Sequence, residues 1–154
     1  MIIQLIAVVF LVGLDQITKL WTLNYFTGGV ADIQIIDGII ELTFVKNTGA
    51  AFGIFSDGTI FLIILVSVVI VMVVFFQRKI PREKYFLPLH ILVTFILAGA
   101  IGNLIDRIRL QYVVDMIHFY WFEFPVFNVA DIYVTCSAAI LMILLLTKYK
   151  DLEI

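Results

Sequence analysis

The run IFLIILVSVVIVMVVFF, residues 60–76, is interrupted by a single polar side chain, Ser67. A segment of that purity suits a helix crossing the hydrocarbon core of a bilayer, which takes about 20 residues at 1.5 Å each. Similar runs lie on both sides of it, at about 2–23, 86–105 and 129–147, and Pro88 falls in the first turn of the third, where proline is tolerated. The 154-residue chain is 63% hydrophobic, far above the roughly 45–50% of soluble domains, and its mean hydropathy is +1.13. The expectation is a mainly α-helical integral membrane protein of one domain, 1–154, with four transmembrane helices. A net charge of −2 with 14% charged residues leaves no basic surface for nucleic acid. The start, Met1 to Ile6, lacks the basic region of a cleavable signal, so it reads as part of a retained span. Cys136 has no cysteine partner and, within an apolar run, reads as a buried structural residue.

Polar residues stand out against this background. In the first span Asp15, Thr18, Lys19 and Thr22 follow i, i+3, i+4, i+7 spacing and share one helical face. Asp15 and Lys19 are placed to pair, the least costly way to keep both in a membrane helix. Between spans one and two, Ile40, Leu42 and Phe44 alternate with Glu41, Thr43 and Val45 after the turn dipeptide Asp37-Gly38. That pattern predicts a small β element over about 33–53 at the membrane surface. It ends in Asn47-Thr48-Gly49-Ala50-Ala51-Phe52-Gly53, whose small residues permit a tight turn or close backbone approach. The third span turns small and then polar, through Ala98-Gly99-Ala100 to Gly102-Asn103-Leu104-Ile105-Asp106-Arg107. Small residues there allow close helix packing, and Gly99, Asn103, Asp106 and Arg107 share a face if the helix continues. Residues 108–127 are rich in Phe, Tyr and Trp and suit an interfacial or shallowly inserted element.

Topology brings the polar residues together. The 78–84 loop and the Lys148/Lys150 tail hold six of the ten Lys and Arg residues, so the positive-inside rule places both termini in the cytoplasm. Asp15 then lies roughly 20 Å along the first span. The polar end of span three and Asp131, at the start of span four, emerge on the same outer side. Asp15, Lys19, Asn103, Asp106, Arg107, Asp115 and Asp131 are therefore expected at one interface. Asp15 has Lys19 as a local cation and Asp106 has Arg107, whereas Asp115 and Asp131 have none nearby in sequence. Two unpaired carboxylates brought together in a low-dielectric site share a proton, the arrangement of an aspartic-protease dyad. One is the general base on a water and the other donates to the scissile carbonyl. No zinc-protease motif occurs, and His90 and His118 fall at opposite membrane faces, which argues against a shared metal or haem. Ser67 and Ser137 have no base nearby, and a hard-cation site would lack ligands. The competing expectation is a small ion or proton transporter subunit with intramembrane carboxylates. It is weakened by the gathering of polar residues at one face.

These motifs resemble, in order and spacing over nearly the whole chain, those of the bacterial lipoprotein signal peptidases, the signal peptidase II family of membrane aspartyl proteases. The matching stretches are Asp15-Gln16-Ile17-Thr18-Lys19, residues 47–53, residues 102–107, Val113-Val114-Asp115 and Phe127-Asn128-Val129-Ala130-Asp131. The resemblance implies that Asp115 and Asp131 are the catalytic pair. It implies further that Asp15, Lys19, Asn47, Gly49, Asn103, Arg107, Asn128 and Ala130 shape or brace the site, with Asp106 of the same convergent set counted among them. It implies cleavage of diacylglyceryl-modified prolipoproteins just before the lipid-modified cysteine, inhibition by globomycin, and no cofactor or metal. It also implies four transmembrane helices with a small extracytoplasmic sheet. A monomer in contact with membrane lipid is expected, in the bacterial cytoplasmic (inner) membrane, with the active site near the extracytoplasmic face. Ala98, Met116 and Ile132 depart from common family residues, and none of them removes a catalytic atom.

Overall fold

The computed structural model describes residues 2–49, 58–122 and 124–150. Of the small-residue turn expected over 47–53, residues 50–53 lie outside them. Four long helices, α1 (Ile2–Phe26), α2 (Thr59–Gln77), α3 (Leu87–Leu110) and α4 (Val129–Leu146), are joined by strands β1 (Ile33–Ile36), β2 (Ile40–Asn47) and β3 (Val113–Phe119). Each helix is long and apolar enough to cross a bilayer. Their outward faces carry exposed large apolar side chains such as Ile3, Phe10, Ile60, Val71, Met142 and Leu146. This is a multi-pass membrane protein, mainly helical, with a small antiparallel sheet.

α3 is the central column, against which the other three helices pack. Half of the residues in its span are buried, against 11% or fewer in the others. The small residues that signal close packing in the sequence explain why. A Cβ on Gly99 would run into the Ala130 carbonyl oxygen, and one on Gly102 would run into Asp15 Oδ2. Glycine at these positions lets α4 and α1 approach the α3 backbone at the level where the polar residues lie. The helix does continue beyond Ile105, and carries Asp106 and Arg107 within it to Leu110.

The hairpin turns at Asp37-Gly38, with Gly38 at φ +68, and the sheet order is β1-β2-β3. β3 is the first part of the aromatic connection, and its alternation is masked in the sequence because Val113, Val114, Asp115 and Met116 are all buried. The register between β2 and β3 slips between Leu42, opposite Ile117, and Val45, opposite Asp115. One extra residue on β2 is a bulge, which reverses the face its later side chains point to. The simple alternation expected from Ile40, Leu42 and Phe44 therefore ends at Leu42. Beyond it Val45 and Asn47 join Ile40 on the face that lines a cavity, with Asp115, Ile117 and Phe119 from β3.

Candidate active site

Asp15, Lys19 and Thr22 are buried along the single inward face of α1 that their spacing predicts. Lys19 Nζ lies 3.0 Å from Asp15 Oδ2 and 3.1 Å from Asp106 Oδ2, and donates to Asn103 Oδ1 at 2.7 Å. The ammonium's three protons are thus matched to three acceptors. Asp106 pairs with this lysine on another helix, not with its neighbour Arg107 as the sequence suggests, because adjacent helical residues point about 100° apart. Arg107 instead donates to the carbonyl oxygens of Gly49 at 2.9 Å and Asn103 at 3.3 Å.

The two structural acids also tie in other elements. Asp15 Oδ1 accepts the Ala130 N–H at 3.0 Å, in the first turn of α4. Asp106 Oδ2 accepts the Val114 N–H of β3 at 3.1 Å. Gln16 completes this layer by donating to Asp106 Oδ1 at 2.9 Å and to the Gly102 carbonyl at 3.2 Å. A helical-face argument built on Asp15 passes over Gln16, which is one residue off that face. The available signal is its polarity, unusual in an apolar span.

Above this layer lie Asp115 and Asp131, and the links between them are amides. Asn128 Nδ2 donates to Asp115 Oδ1 at 2.6 Å, and Asn47 Nδ2 donates to Asp115 Oδ2 at 2.9 Å. Asn47 is itself fixed, since its Oδ1 accepts the Gly49 N–H at 3.0 Å. Asp131 Oδ1 accepts from Asn103 Nδ2 at 2.8 Å. Asp131 Oδ2 accepts the Asn128 N–H at 3.1 Å while Asn128 Oδ1 accepts the Asp131 N–H at 3.0 Å. This reciprocal pair is a capping box, legible as Asn-x-x-Asp at the start of an apolar run. The Asn128 side chain therefore touches both the Asp115 carboxylate and the Asp131 backbone. It also sets the N-terminus of α4, whose partial positive charge faces Asp131.

All of Asp15, Lys19, Asn47, Gly49, Asn103, Asp106, Arg107, Asp115, Asn128, Ala130 and Asp131 fall within this connected set. Asp115 is buried, and the loss of solvent raises its carboxyl from 3.8 to about 6, against the opposing effect of the Asn47 amide and with a further upward push from the Asp131 charge. Both aspartates border a cavity of about 890 Å³ whose walls are mostly apolar and include Ile117, Phe119, Phe124 and Phe127. Cys136 also borders it and is exposed, contrary to the buried position expected from its apolar run, because that face of α4 looks onto the cavity instead of a neighbouring helix. His118 lies apart from the aspartates, paired across strands with Glu41 at 2.7 Å. His90 Nε2 meets the Pro81 carbonyl at 3.0 Å.

A family model described as "Signal peptidase (SPase) II" matches residues 6–147. The chain belongs to the signal peptidase II family. A lipoprotein signal peptidase of Clostridium tetani is 37% identical over 98% of both chains. One from Streptococcus pyogenes is 38% identical, covering 95% of this chain and 93% of its own. Among solved structures, a bacterial membrane enzyme determined by the in meso method at 2.3 Å superposes with a TM-score of 0.82 at 30% identity, over 98% of this chain and 93% of the other. A second, at 1.9 Å, gives a TM-score of 0.77 at 30% identity over 94% and 92%. As a member of the signal peptidase II family the protein is a membrane hydrolase of the aspartic type, as the resemblance implies.

Proposed function

We propose that the protein removes the signal peptide of diacylglyceryl-modified prolipoproteins by cleaving before the lipid-modified cysteine, with Asp115 and Asp131 as the catalytic pair. The observation that carries this reading is the position of the two carboxylates, oriented by a common asparagine, Asn128, on the wall of one largely apolar cavity. Buried Asp115 holds the shared proton, and Asp131 takes a proton from a water in the cavity. The water oxygen bonds to the scissile carbonyl carbon while Asp115 donates to the carbonyl oxygen. Collapse of the tetrahedral intermediate breaks the C–N bond; the proton held by Asp131 passes to the departing amine of the lipidated cysteine, and a hydroxyl of the intermediate returns a proton to Asp115 as the new carboxyl group forms. The apolar walls suit the diacylglyceryl chains and the hydrophobic signal segment, and an occupied cavity excludes water, which strengthens the electrostatics of the pair.

Asn47, Asn103 and Asn128 orient the carboxylates. Asp15, Lys19, Asp106, Gly49, Arg107 and Ala130 hold the elements that carry them. The cluster of Lys and Arg at 78–84 and 148–150 supports a bacterial inner-membrane orientation with cytoplasmic termini and the cavity near the extracytoplasmic face. The chain acts as a single-domain monomer among membrane lipids, and a globomycin-type cyclic peptide competes for the cavity. Neither the family nor the site favours ion transport.

The test is turnover of a synthetic diacylglyceryl prolipoprotein by purified Asp115→Asn and Asp131→Asn. Each is expected to insert, fold and lose cleavage by at least about 10³-fold, in the range for removing a member of a unit that acts together. Wild-type turnover by either variant would refute the assignment.

A further inference from the structure

At the end of the bundle remote from the aspartates, α1 and α2 each pack on α3 without an extended contact between them. The gap is a cleft of about 390 Å³. Its head is polar and basic, with Gln77, Arg78, Arg82 and His90 on its rim, and no acidic side chain is among the described residues that line it. Its walls are largely apolar, with Leu5, Val8, Leu97 and Ile101 among them, and Gln4 of α1 also lines it. From His90 to Ile101 the groove follows α3 for about 16 Å at 1.5 Å per residue, long enough for much of an acyl chain.

The head of the cleft has a fixed backbone. A carbonyl oxygen only accepts, so His90 Nε2 carries the proton it gives to Pro81 O at 3.0 Å, which holds the loop bearing Arg82 over the first turn of α3. The chain turns there through Lys79 N–H to Phe76 O at 2.9 Å and Ile80 N–H to Gln77 O at 3.2 Å. Lys79 is directed elsewhere, with its ammonium 5.1 Å from the centre of the Phe75 ring.

We propose that this cleft binds an anionic phospholipid, with the headgroup phosphate at Arg78 and Arg82 and one acyl chain along the groove between α1 and α3. Basic head and apolar groove together match an amphiphile of negative charge, and juxtamembrane cations recognise such headgroups by charge. A free phosphate would satisfy the head alone and leave the apolar walls without a role. The site is separate from the peptidase cavity, so it does not depend on the catalytic assignment.

Native mass spectrometry of the full-length protein in neutral detergent tests it, with phosphatidylglycerol and phosphatidylcholine of matched chains and, as a third arm, inorganic phosphate. Phosphatidylglycerol is expected to be retained in preference to phosphatidylcholine, and millimolar phosphate is expected not to displace it. R78Q/R82Q is expected to weaken phosphatidylglycerol binding roughly 30-fold, about fivefold for each charge removed. K79Q should leave it unchanged. Equal retention of the two lipids, displacement by phosphate, or unchanged binding by R78Q/R82Q would each overturn the proposal. If the double variant does not fold, R78Q alone is read by the same criterion, with an expected loss of about fivefold. V8W, which fills the groove without touching the charges, should also lose the bound lipid, and its full retention would equally overturn the proposal.

Discussion

Replacing Lys19 by methionine removes the one cation shared by two buried acids. Its ammonium is 3.0 Å from Asp15 and 3.1 Å from Asp106. At an effective dielectric constant near 20 each contact is worth about 5 kcal/mol of Coulomb attraction before desolvation. The net effect of breaking a buried pair by deleting one partner is about 3–5 kcal/mol, since the other partner remains buried without compensation. Two carboxylates are left in this case, so the expected loss lies at the upper end, about 5 kcal/mol. The same change removes the donor to Asn103 Oδ1 at 2.7 Å, while Asn103 Nδ2 is what holds Asp131 Oδ1 at 2.8 Å. Asn103 Oδ1 then keeps only the Asn128 Nδ2 donor at 3.2 Å, so the amide holds Asp131, the proposed general base, less firmly, and kcat should fall about 10²-fold with little change in KM, as for a misplacement of about 1 Å. Equilibrium unfolding in mixed micelles and turnover of a diacylglyceryl peptide measure the two effects. Adding Asp106→Asn to Lys19→Met should recover part of the stability and none of the rate. A stability loss below about 1 kcal/mol with wild-type kcat would refute the argument that this lysine fixes both the bundle and the base.

Three further outcomes follow from the same geometry. The Asp115 carboxyl is raised from 3.8 unfolded to about 6 folded, so its protonated form adds stability that is full below 3.8 and is lost as pH rises through about 6. The difference amounts to about 3 kcal/mol, and thermal unfolding from pH 4 to 7.5 should show the wild type declining relative to Asp115→Asn, whereas parallel curves would contradict it. Gly99→Ala sets a Cβ against the Ala130 carbonyl and 2.7 Å from Val134 Cγ2, so it should cost about 1–3 kcal/mol. Gly13→Ala meets nothing within 4 Å and should be neutral or stabilising by up to about 1 kcal/mol; equal melting points for the two variants would count against the α3–α4 packing argument. Asn128→Ala removes the α4 cap, worth about 1 kcal/mol, together with the amide on Asp115. A kcat loss much larger than the stability loss would separate its orienting role from its capping role, and a loss confined to stability would exclude the former.

What the sequence discloses depends on how local the cause is. The helices are legible because a bilayer demands long apolar runs, and the inward face of α1 is legible because Asp15, Lys19 and Thr22 keep strict helical spacing in an otherwise apolar segment. The partner of Asp106 is not legible, because proximity in sequence points to Arg107 while the bond to Lys19 depends on how α1 and α3 are aligned. β3 is hidden for a related reason. Its first four residues are buried on both faces, so the alternation that marks β2 is absent. The bulge that turns Asn47 to the cavity follows from pairing with β3, and no pattern within β2 alone reports it. Cys136 illustrates the converse error, since an apolar neighbourhood in sequence is equally compatible with a helix core and with a cavity wall.

The separation of charged and neutral groups explains why so many polar residues are needed. Among the described residues every ion pair near the site involves Lys19 with Asp15 or Asp106, and none reaches Asp115 or Asp131. The groups that do touch the two aspartates are neutral amides, from Asn47, Asn103 and Asn128. A lysine in direct contact with either carboxylate would favour ionisation of both and abolish the shared proton that the proposed chemistry requires. Amides orient a carboxylate without neutralising it. Asn103 sits at the boundary, with its oxygen accepting from Lys19 and Asn128 and its nitrogen on Asp131, so it transmits the rigidity of the ion-pair layer to Asp131 while holding the ammonium one residue away. A shape-preserving exchange that adds a negative charge at that boundary, Asn103→Asp, keeps the contact with Lys19 but turns a donor toward Asp131 into an acceptor. Repulsion would then displace Asp131, and the variant should lose turnover together with some stability, whereas wild-type turnover would refute the role given to the Asn103 amide.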